Sequence, residues 1–299
     1  MAHSDDEWIA QLQDELSSAR SRPTLVEHRV AIDGVELSGH VAGPPEGRPI
    51  VLLHGLTASS TDWSFTLPPL IEEGWRVLSP DLPGHGRSSA PSESAAYRME
   101  RVADLVHVFA GELGFAPAVV VGNSMGGAIA QEWVLRHPEA ISALVLVDSS
   151  GDIDPPWPWP SEDSAFAERE RALFWSEGAD AVWDLHQKEG GWLQSTAMPP
   201  KVAAWGKARF CGTRPEGYYY GSQALLERRH TLADLAHTSC KTLVICGENE
   251  TPWLRGVSDR LAATIPAAAY EIIAAGGHCP QWQNTAAFNA ILLRFLATL

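Results

Sequence analysis

Four apolar residues, Ala118-Val119-Val120-Val121, lead straight into Gly122-Asn123-Ser124-Met125-Gly126, and a helical pattern follows from Gly126 to Arg136. A short Val-rich run of this kind reads as a strand buried on both faces, so it belongs in a sheet that helices cover on either side. The glycines bracketing Ser124 let the chain reverse sharply between strand and helix, which projects the serine hydroxyl outward on a strained backbone. The helix start beside it aims N–H groups and a positive dipole at the same spot, where developing negative charge would be stabilised. Ser124 is therefore the candidate nucleophile, and the Met125 N–H is the first candidate donor to an oxyanion.

The same rhythm recurs along the chain. Val51–Leu53, Val77–Ser79, Ala143–Val147, Thr242–Cys246 and Tyr270–Ile273 lie in further apolar runs, while Met99–Leu113 and Thr285–Leu296 carry helical patterns. Glu27–Ile32 and Val35–Val41 flank Asp33-Gly34, a hairpin signal, and that antiparallel pair is expected at a sheet edge. The sum is an α/β fold with a mostly parallel, eight-stranded sheet flanked by helices. From 151 to 236 the strand pattern stops. There the run Pro155-Pro156-Trp157-Pro158-Trp159-Pro160 precedes helical segments carrying Trp175, Trp183, Trp192 and Trp205. These residues are predicted to form a helical lid after strand 6, interrupting one core of residues 24–150 and 237–299. Residues 1–23, with Trp8, Ile9, Leu12 and Leu16 at helical spacing, are expected to form an N-terminal helical extension.

At 299 residues and 45% hydrophobic, the chain can bury one large core with an insertion. Its formal net charge of -15 argues against nucleic acid and anionic membranes, both of which require basic patches. The start lacks the basic and apolar signature of a secretion signal, and no run reaches a membrane span, so a cytoplasmic protein is expected. Cys211, Cys240, Cys246 and Cys279 lie far apart without zinc-site spacing and are expected to be reduced thiols. No metal or organic cofactor is expected, the partner is a small-molecule substrate, and homo-oligomerisation is left open.

A serine nucleophile needs a base, an orienting acid and a second oxyanion donor. Ile50–Leu53 runs into His54-Gly55-Leu56-Thr57, which makes the Leu56 N–H the second donor; His54 is expected to hold that loop by a local hydrogen bond. His278, on the Gly-rich loop Gly276-Gly277-His278-Cys279 after the last strand, is the candidate base. Two carboxylates compete to orient it: Glu250, in the loop after Thr242–Cys246, and Asp148, at the end of the preceding strand. Glu248 is expected to be solvated, and Asp81 to brace its own turn. Tryptophans above such a site imply an aromatic-lined pocket, for which Trp157 and Trp159 are the nearest candidates.

His54-Gly55, Asp81-Leu82-Pro83-Gly84-His85-Gly86-Arg87-Ser88, Gly122-Asn123-Ser124-Met125-Gly126-Gly127 and Gly277-His278 together resemble the α/β-hydrolase superfamily. Within it, the Gly122–Gly127 run and His278-Cys279-Pro280-Gln281-Trp282-Gln283 look like the serine hydrolases that cleave carbon–carbon bonds of meta-ring-fission products. That resemblance implies that Trp282 packs beside the substrate. The chain departs from that narrower pattern at Leu56-Thr57-Ala58-Ser59, where those enzymes usually carry Ser-Gly-Pro-Gly, and at Glu250, where they usually carry aspartate.

Three functions fit these residues. The first is hydrolysis of a carboxylic ester or lactone of a medium to bulky apolar substrate through an acyl-enzyme. The second keeps the triad but cleaves a carbon–carbon bond in a vinylogous diketone. The third is a receptor of the same fold that binds its ligand with little turnover.

Overall fold

The computed structural model describes residues 25–149, 164–189, 200–228 and 231–299. The N-terminal extension expected over residues 1–23, and both Trp157 and Trp159, lie outside the described residues.

Eight strands form one sheet: β1 (Val26–Ile32), β2 (Val35–Ala42), β3 (Arg48–Leu53), β4 (Trp75–Pro80), β5 (Ala118–Asn123), β6 (Ile141–Val147), β7 (Lys241–Gly247) and β8 (Ala269–Ile273). Their spatial order is β1-β2-β4-β3-β5-β6-β7-β8. β1 pairs with β2 antiparallel at the edge, β2 pairs with β4 antiparallel, and every other pairing is parallel. The turn at Asp33-Gly34 has positive φ at both residues, as the hairpin signal requires.

The unbroken apolar runs follow from having helices on both faces. Val51, Leu53, Val120, Leu144, Leu146 and Val244 point into one core with α2 (Met99–Glu112) and α3 (Met125–Arg136). Their neighbours Ile50, Leu52, Val119, Val121, Val145 and Ile245 point into the other, against α1 (Leu67–Glu72) and α11 (Thr285–Leu296). Strand alternation thus sends every second residue to a different core, so both sets must be apolar. The helices answer with their own period: Val102, Val106 and Phe109 are buried on α2, and Phe288, Leu292 and Leu296 on α11.

Between β6 and β7 the described residues hold α4 (Ser164–Glu177), α5 (Ala179–Glu189), α6 (Pro200–Cys211), α7 (Pro215–Glu227) and α8 (Leu232–Leu235). Phe174, Val182, Trp183, Phe210 and Tyr218 form a separate small core there, with Phe174 stacked on Tyr218 at 4.2 Å. Within it, buried Glu170 accepts from Tyr218 Oη at 2.5 Å and contacts His186 Nε2 at 2.7 Å. This lid touches the main domain closely. A Cβ on Gly217 of α7 would lie 2.4 Å from the carbonyl oxygen of Gly84, so only glycine permits the contact without movement. The Arg214 N–H also donates to that oxygen at 3.1 Å. Farther along, Arg228 and Thr231 both donate to Gln131 on α3, at 3.2 and 3.0 Å. After β7 come α9 (Pro252–Thr264), then α10 (Pro280–Gln283) beyond β8.

Candidate active site

Ser124 occupies the turn between β5 and α3 with φ 52° and ψ -115°, a conformation that costs a non-glycine residue energy. The strain is held in place by close backbone packing. A Cβ at Gly122 would lie 2.4 Å from the Gly126 oxygen, and one at Gly126 only 2.2 Å from the Leu53 oxygen. Both glycines of the motif are therefore steric requirements. The Ser124 N–H donates to Val147 O at 3.0 Å, which hangs the turn from β6.

His278 reaches the serine from the loop between β8 and α10. Its Nε2 is 3.0 Å from Ser124 Oγ, and its Nδ1 is 2.5 Å from Glu250 Oε2. Glu250 follows β7, its side chain is 3% exposed, and its other oxygen accepts the Thr251 N–H at 2.6 Å. Burial alone would raise the Glu250 pKa; the His278 charge and the hydrogen bonds from His278 and Thr251 hold it below the ordinary value. For His278 desolvation acts downward, yet Glu250, with smaller contributions from Asp148 and Asp62, pushes its pKa up to about 9.

The structure thus brings Glu250 rather than Asp148 to the histidine. Asp148 lies one strand over, fully buried with φ 40°, and both its oxygens accept the Gly247 N–H, at 3.0 and 3.2 Å. Burial, reinforced by the Glu250 charge, raises its pKa well above the ordinary carboxylate value.

The loop that carries Leu56 packs against the nucleophile turn, which Met125 follows. A Cβ on Gly55 would sit 3.3 Å from Ser124 Cβ, so the loop after β3 crosses directly over the turn. Gly221 of α7 faces both residues: its Cβ would lie 3.0 Å from Leu56 Cδ1 and 3.6 Å from Met125 Sδ. The loop itself is held by two neutral histidines. His54 Nε2 accepts the Leu82 N–H at 3.0 Å and His85 Nε2 accepts the Thr57 N–H at 3.3 Å, leaving each Nδ1–H to donate to a carbonyl, Gly55 O at 2.8 Å and Pro83 O at 2.9 Å. Burial drives both pKa values down, that of His85 to about 4. Asp81 takes the bracing part expected of it, accepting from the Arg87 N–H at 3.0 Å and from the Ser60 N–H at 2.6 Å.

Trp282 is buried beside Cys279, Ala208 and Phe65. Of the lid tryptophans, Trp183 belongs to the lid's own core, whereas Trp175 is 53% exposed and packs edge-on against Tyr219. The aromatic wall that Leu56 packs against is built from Phe174, Phe210, Tyr218 and Trp183.

Sequence reasoning passed over several residues that hold the site. Asn123 Nδ2 donates to Val147 O at 3.1 Å and to His278 O at 3.0 Å, joining the nucleophile turn to the histidine loop. Gln283 Oε1 accepts from the N–H groups of Gly277 at 2.7 Å and Cys279 at 3.2 Å. Asp62, in a short turn of helix at Ser60–Trp63, pairs with Arg209 from the lid helix α6 and accepts from Gln281 Nε2 at 2.9 Å. For Asn123 the only available signal was an amide side chain next to the candidate nucleophile, and for Gln283 its place five residues after the candidate base.

An open depression of about 810 Å³ lies between α2 and α3 and is lined by Arg98, Glu100, Arg101, Asp104, Leu135, Arg136 and His137. None of the site residues above lines it. Among the described residues no helix is long and apolar enough to cross a membrane. The four cysteines are free thiols.

Residues 50–291 match the model of the alpha/beta hydrolase family, which is most of the chain and includes every site residue above. The chain belongs to the alpha/beta hydrolase family. Among curated relatives it is 36% identical over 131 residues to a serine hydrolase-like protein of Danio rerio, covering 44% of this chain and 40% of that one. The match therefore spans less than half of that relative's length. It is 26% identical over 253 residues to the 2-hydroxy-6-oxononadienedioate/2-hydroxy-6-oxononatrienedioate hydrolase of Escherichia coli K12, covering 83% of this chain and 86% of that enzyme. Among solved structures, Est816, described as an N-acyl homoserine lactone degrading enzyme, aligns with a TM-score of 0.72 at 26% identity, covering 90% of this chain and all of that one. Structures described as a carboxylesterase of Nitrososphaera gargenis and an enol-lactonase of Burkholderia xenovorans, at 20% and 24% identity, share this chain's fold.

Proposed function

We propose that this alpha/beta hydrolase cleaves a carboxylic ester or lactone of a medium to bulky, mostly apolar small molecule through a serine acyl-enzyme. The unbroken chain of contacts from Ser124 Oγ through His278 to Glu250, set on a strained turn at a helix start, carries this reading.

His278 Nε2 takes the Ser124 proton as Oγ attacks the carbonyl carbon, and the carbonyl electron pair moves onto oxygen. The N–H groups of Leu56 and Met125 hold that oxyanion, each contributing about 3 kcal/mol to the lowered barrier. The tetrahedral intermediate collapses by breaking the bond to the leaving oxygen, which takes the proton from His278. Water then gives its proton to His278 and attacks the acyl carbon, after which Ser124 recovers the proton and the acid departs. Glu250 keeps the imidazole in the required tautomer and stabilises its charged form. Trp282, and in the lid Trp157 and Trp159, are proposed as the apolar contacts to the substrate.

The test is turnover of p-nitrophenyl esters and lactones by the native chain and by Ser124→Ala. Activity should fall by about 10³-fold or more with circular dichroism unchanged. Unchanged turnover in the variant would sink the mechanism, and release of no more than one equivalent of product would favour the receptor reading. The match to the Escherichia coli enzyme over most of both chains supports a second reading, carbon–carbon cleavage by the same triad. A ring-fission product assayed beside the esters separates the two, since the higher kcat/KM identifies the reaction.

A further inference from the structure

Ala274-Ala275-Gly276-Gly277 gives the loop ahead of His278 almost no side chains with which to hold itself, yet the imidazole must stay aimed at Ser124. Hydrogen bonds fix it instead. The Asn249 N–H donates to Gly276 O at 2.7 Å, and a Cβ on Gly247 would lie 2.3 Å from Gly277 O, so the loop rests on the end of β7 beside the turn that carries Glu250. Around His278 itself the bonds converge on two amides. Gln283 Oε1 accepts the N–H of Gly277 at 2.7 Å and that of Cys279 at 3.2 Å, while Asn123 Nδ2 donates to His278 O at 3.0 Å. The peptide unit joining His278 to Cys279 is thereby gripped at both ends, and because it is planar neither end turns without the other. Two converging N–H donors require the oxygen, not the nitrogen, of the Gln283 amide to face them. Reaching back to the N–H of Cys279 is what a residue near a helix start does, since Cys279 caps α10. The shorter bond, to Gly277, lies outside that helix and serves no cap.

We infer that Gln283 is a positioning residue of the reaction: one neutral oxygen fixes the backbone on both sides of His278, and with it the aim of the imidazole, without placing a further charge beside the ring. The kinetic part of this inference rests on the acyl-transfer reading above. A carboxylate would accept the same two N–H groups more strongly than an amide does. It would also add to the charges that already act on the ring: Glu250 from the loop after β7, Asp148 from just past β6 and Asp62 from the helical turn at Ser60–Trp63. Burial lowers the affinity of the ring for a proton, and these three raise it. Another anion would hold the proton on His278 to still higher pH and so keep the ring from taking one from Ser124. The amide supplies the grip and leaves the base to Glu250.

The experiment uses Gln283→Met, which keeps the length of the side chain but lacks the oxygen, and Gln283→Glu, which keeps the oxygen and adds the charge. On p-nitrophenyl esters the kcat of Gln283→Met should fall by about 10²-fold with KM unchanged, the cost of a misaimed base. Gln283→Glu should recover most of kcat at its own plateau, with the midpoint of the pH profile displaced to higher pH. A merely structural residue would not give that pair of results. Proton NMR supplies a readout that needs no substrate: the low-field resonance of the His278 Nδ1–H, assigned by its absence in His278→Ala, should move upfield in Gln283→Met and stay low-field in Gln283→Glu. Native kcat or an unmoved resonance in Gln283→Met would overturn the inference, as would a rise in KM alone or a pH midpoint that Gln283→Glu leaves fixed. If the native chain turns over no ester, the acyl-transfer reading fails, while the resonance still decides whether Gln283 holds the ring. Should Gln283→Met not fold, Gln283→Ala, which lets water reach both N–H groups, takes its place with the same expected losses.

Discussion

Glu250 Oε2 lies 2.5 Å from His278 Nδ1, while 3.0 Å beyond the other ring nitrogen stands Ser124 Oγ. The carboxylate therefore does two things at once: it fixes the tautomer, and it raises the affinity of the ring for a proton. The second has a visible cost at neutral pH, because an imidazolium cannot accept the serine proton.

The first prediction is a pH profile. With the His278 pKa pushed up to about 9, kcat/KM on an uncharged ester should climb as pH rises above the ordinary histidine value of 6.5. In Glu250→Gln the stabilising charge is gone, so the midpoint should move to lower pH, and kcat at the plateau should fall by about 10³-fold or more because the tautomer is lost. Initial rates from pH 5 to 10 check both; a midpoint that stays fixed would show that Glu250 does not govern the base.

Asp148 gives a stability prediction with the opposite sign to that of an ion-paired carboxylate. Its pKa in the fold is well above the ordinary 3.8, so the native state holds a proton that the unfolded chain releases as pH rises past that value. The native state binding more protons means that this residue's contribution to stability declines with increasing pH. Asp148→Asn keeps the shape and cannot ionise, so thermal unfolding should show the variant gaining on the native protein between pH 5 and 8. A constant difference in Tm across that range would contradict a raised Asp148 pKa.

Gly217 and Gly206 provide a matched pair on the lid. At Gly217 a methyl group would lie 2.4 Å from the Gly84 oxygen, whereas at Gly206 a Cβ meets nothing within 4 Å. Gly217→Ala should cost about 1–3 kcal/mol as an overpacked contact. Gly206→Ala, inside α6, should stabilise by up to about 1 kcal/mol through helix propensity. Denaturant midpoints for the two variants test whether the lid is docked on the Gly84 turn.

Much of this was readable in the sequence because its causes are local. The strand runs follow from burial on two faces, and Gly122 and Gly126 from one tight turn, so β5, Ser124 and α3 were visible in a dozen residues. His278 could be found by its place after the last apolar run. The choice between Glu250 and Asp148 could not, since both end neighbouring strands, and only the positions of β6 and β7 in the sheet decide which carboxylate faces the ring. Arg209 and Asp62 left no local trace, because each looks like an ordinary helix or turn charge until the lid folds over. Nor could composition sort the tryptophans. Trp183 and Trp175 lie on consecutive lid helices, yet one lines the lid's core and the other faces solvent.

One amide, that of Asn123, grips both Val147 O and His278 O. The separation on which proton transfer depends is therefore held directly by a cross-link from the residue next to the nucleophile, across the 153 residues of chain between Ser124 and His278. The lid, which supplies none of Ser124, His278 and Glu250, can be lengthened, shortened or exchanged without resetting the reaction geometry. The architecture is modular: new substrates can be explored in the lid while the chemistry is inherited unchanged.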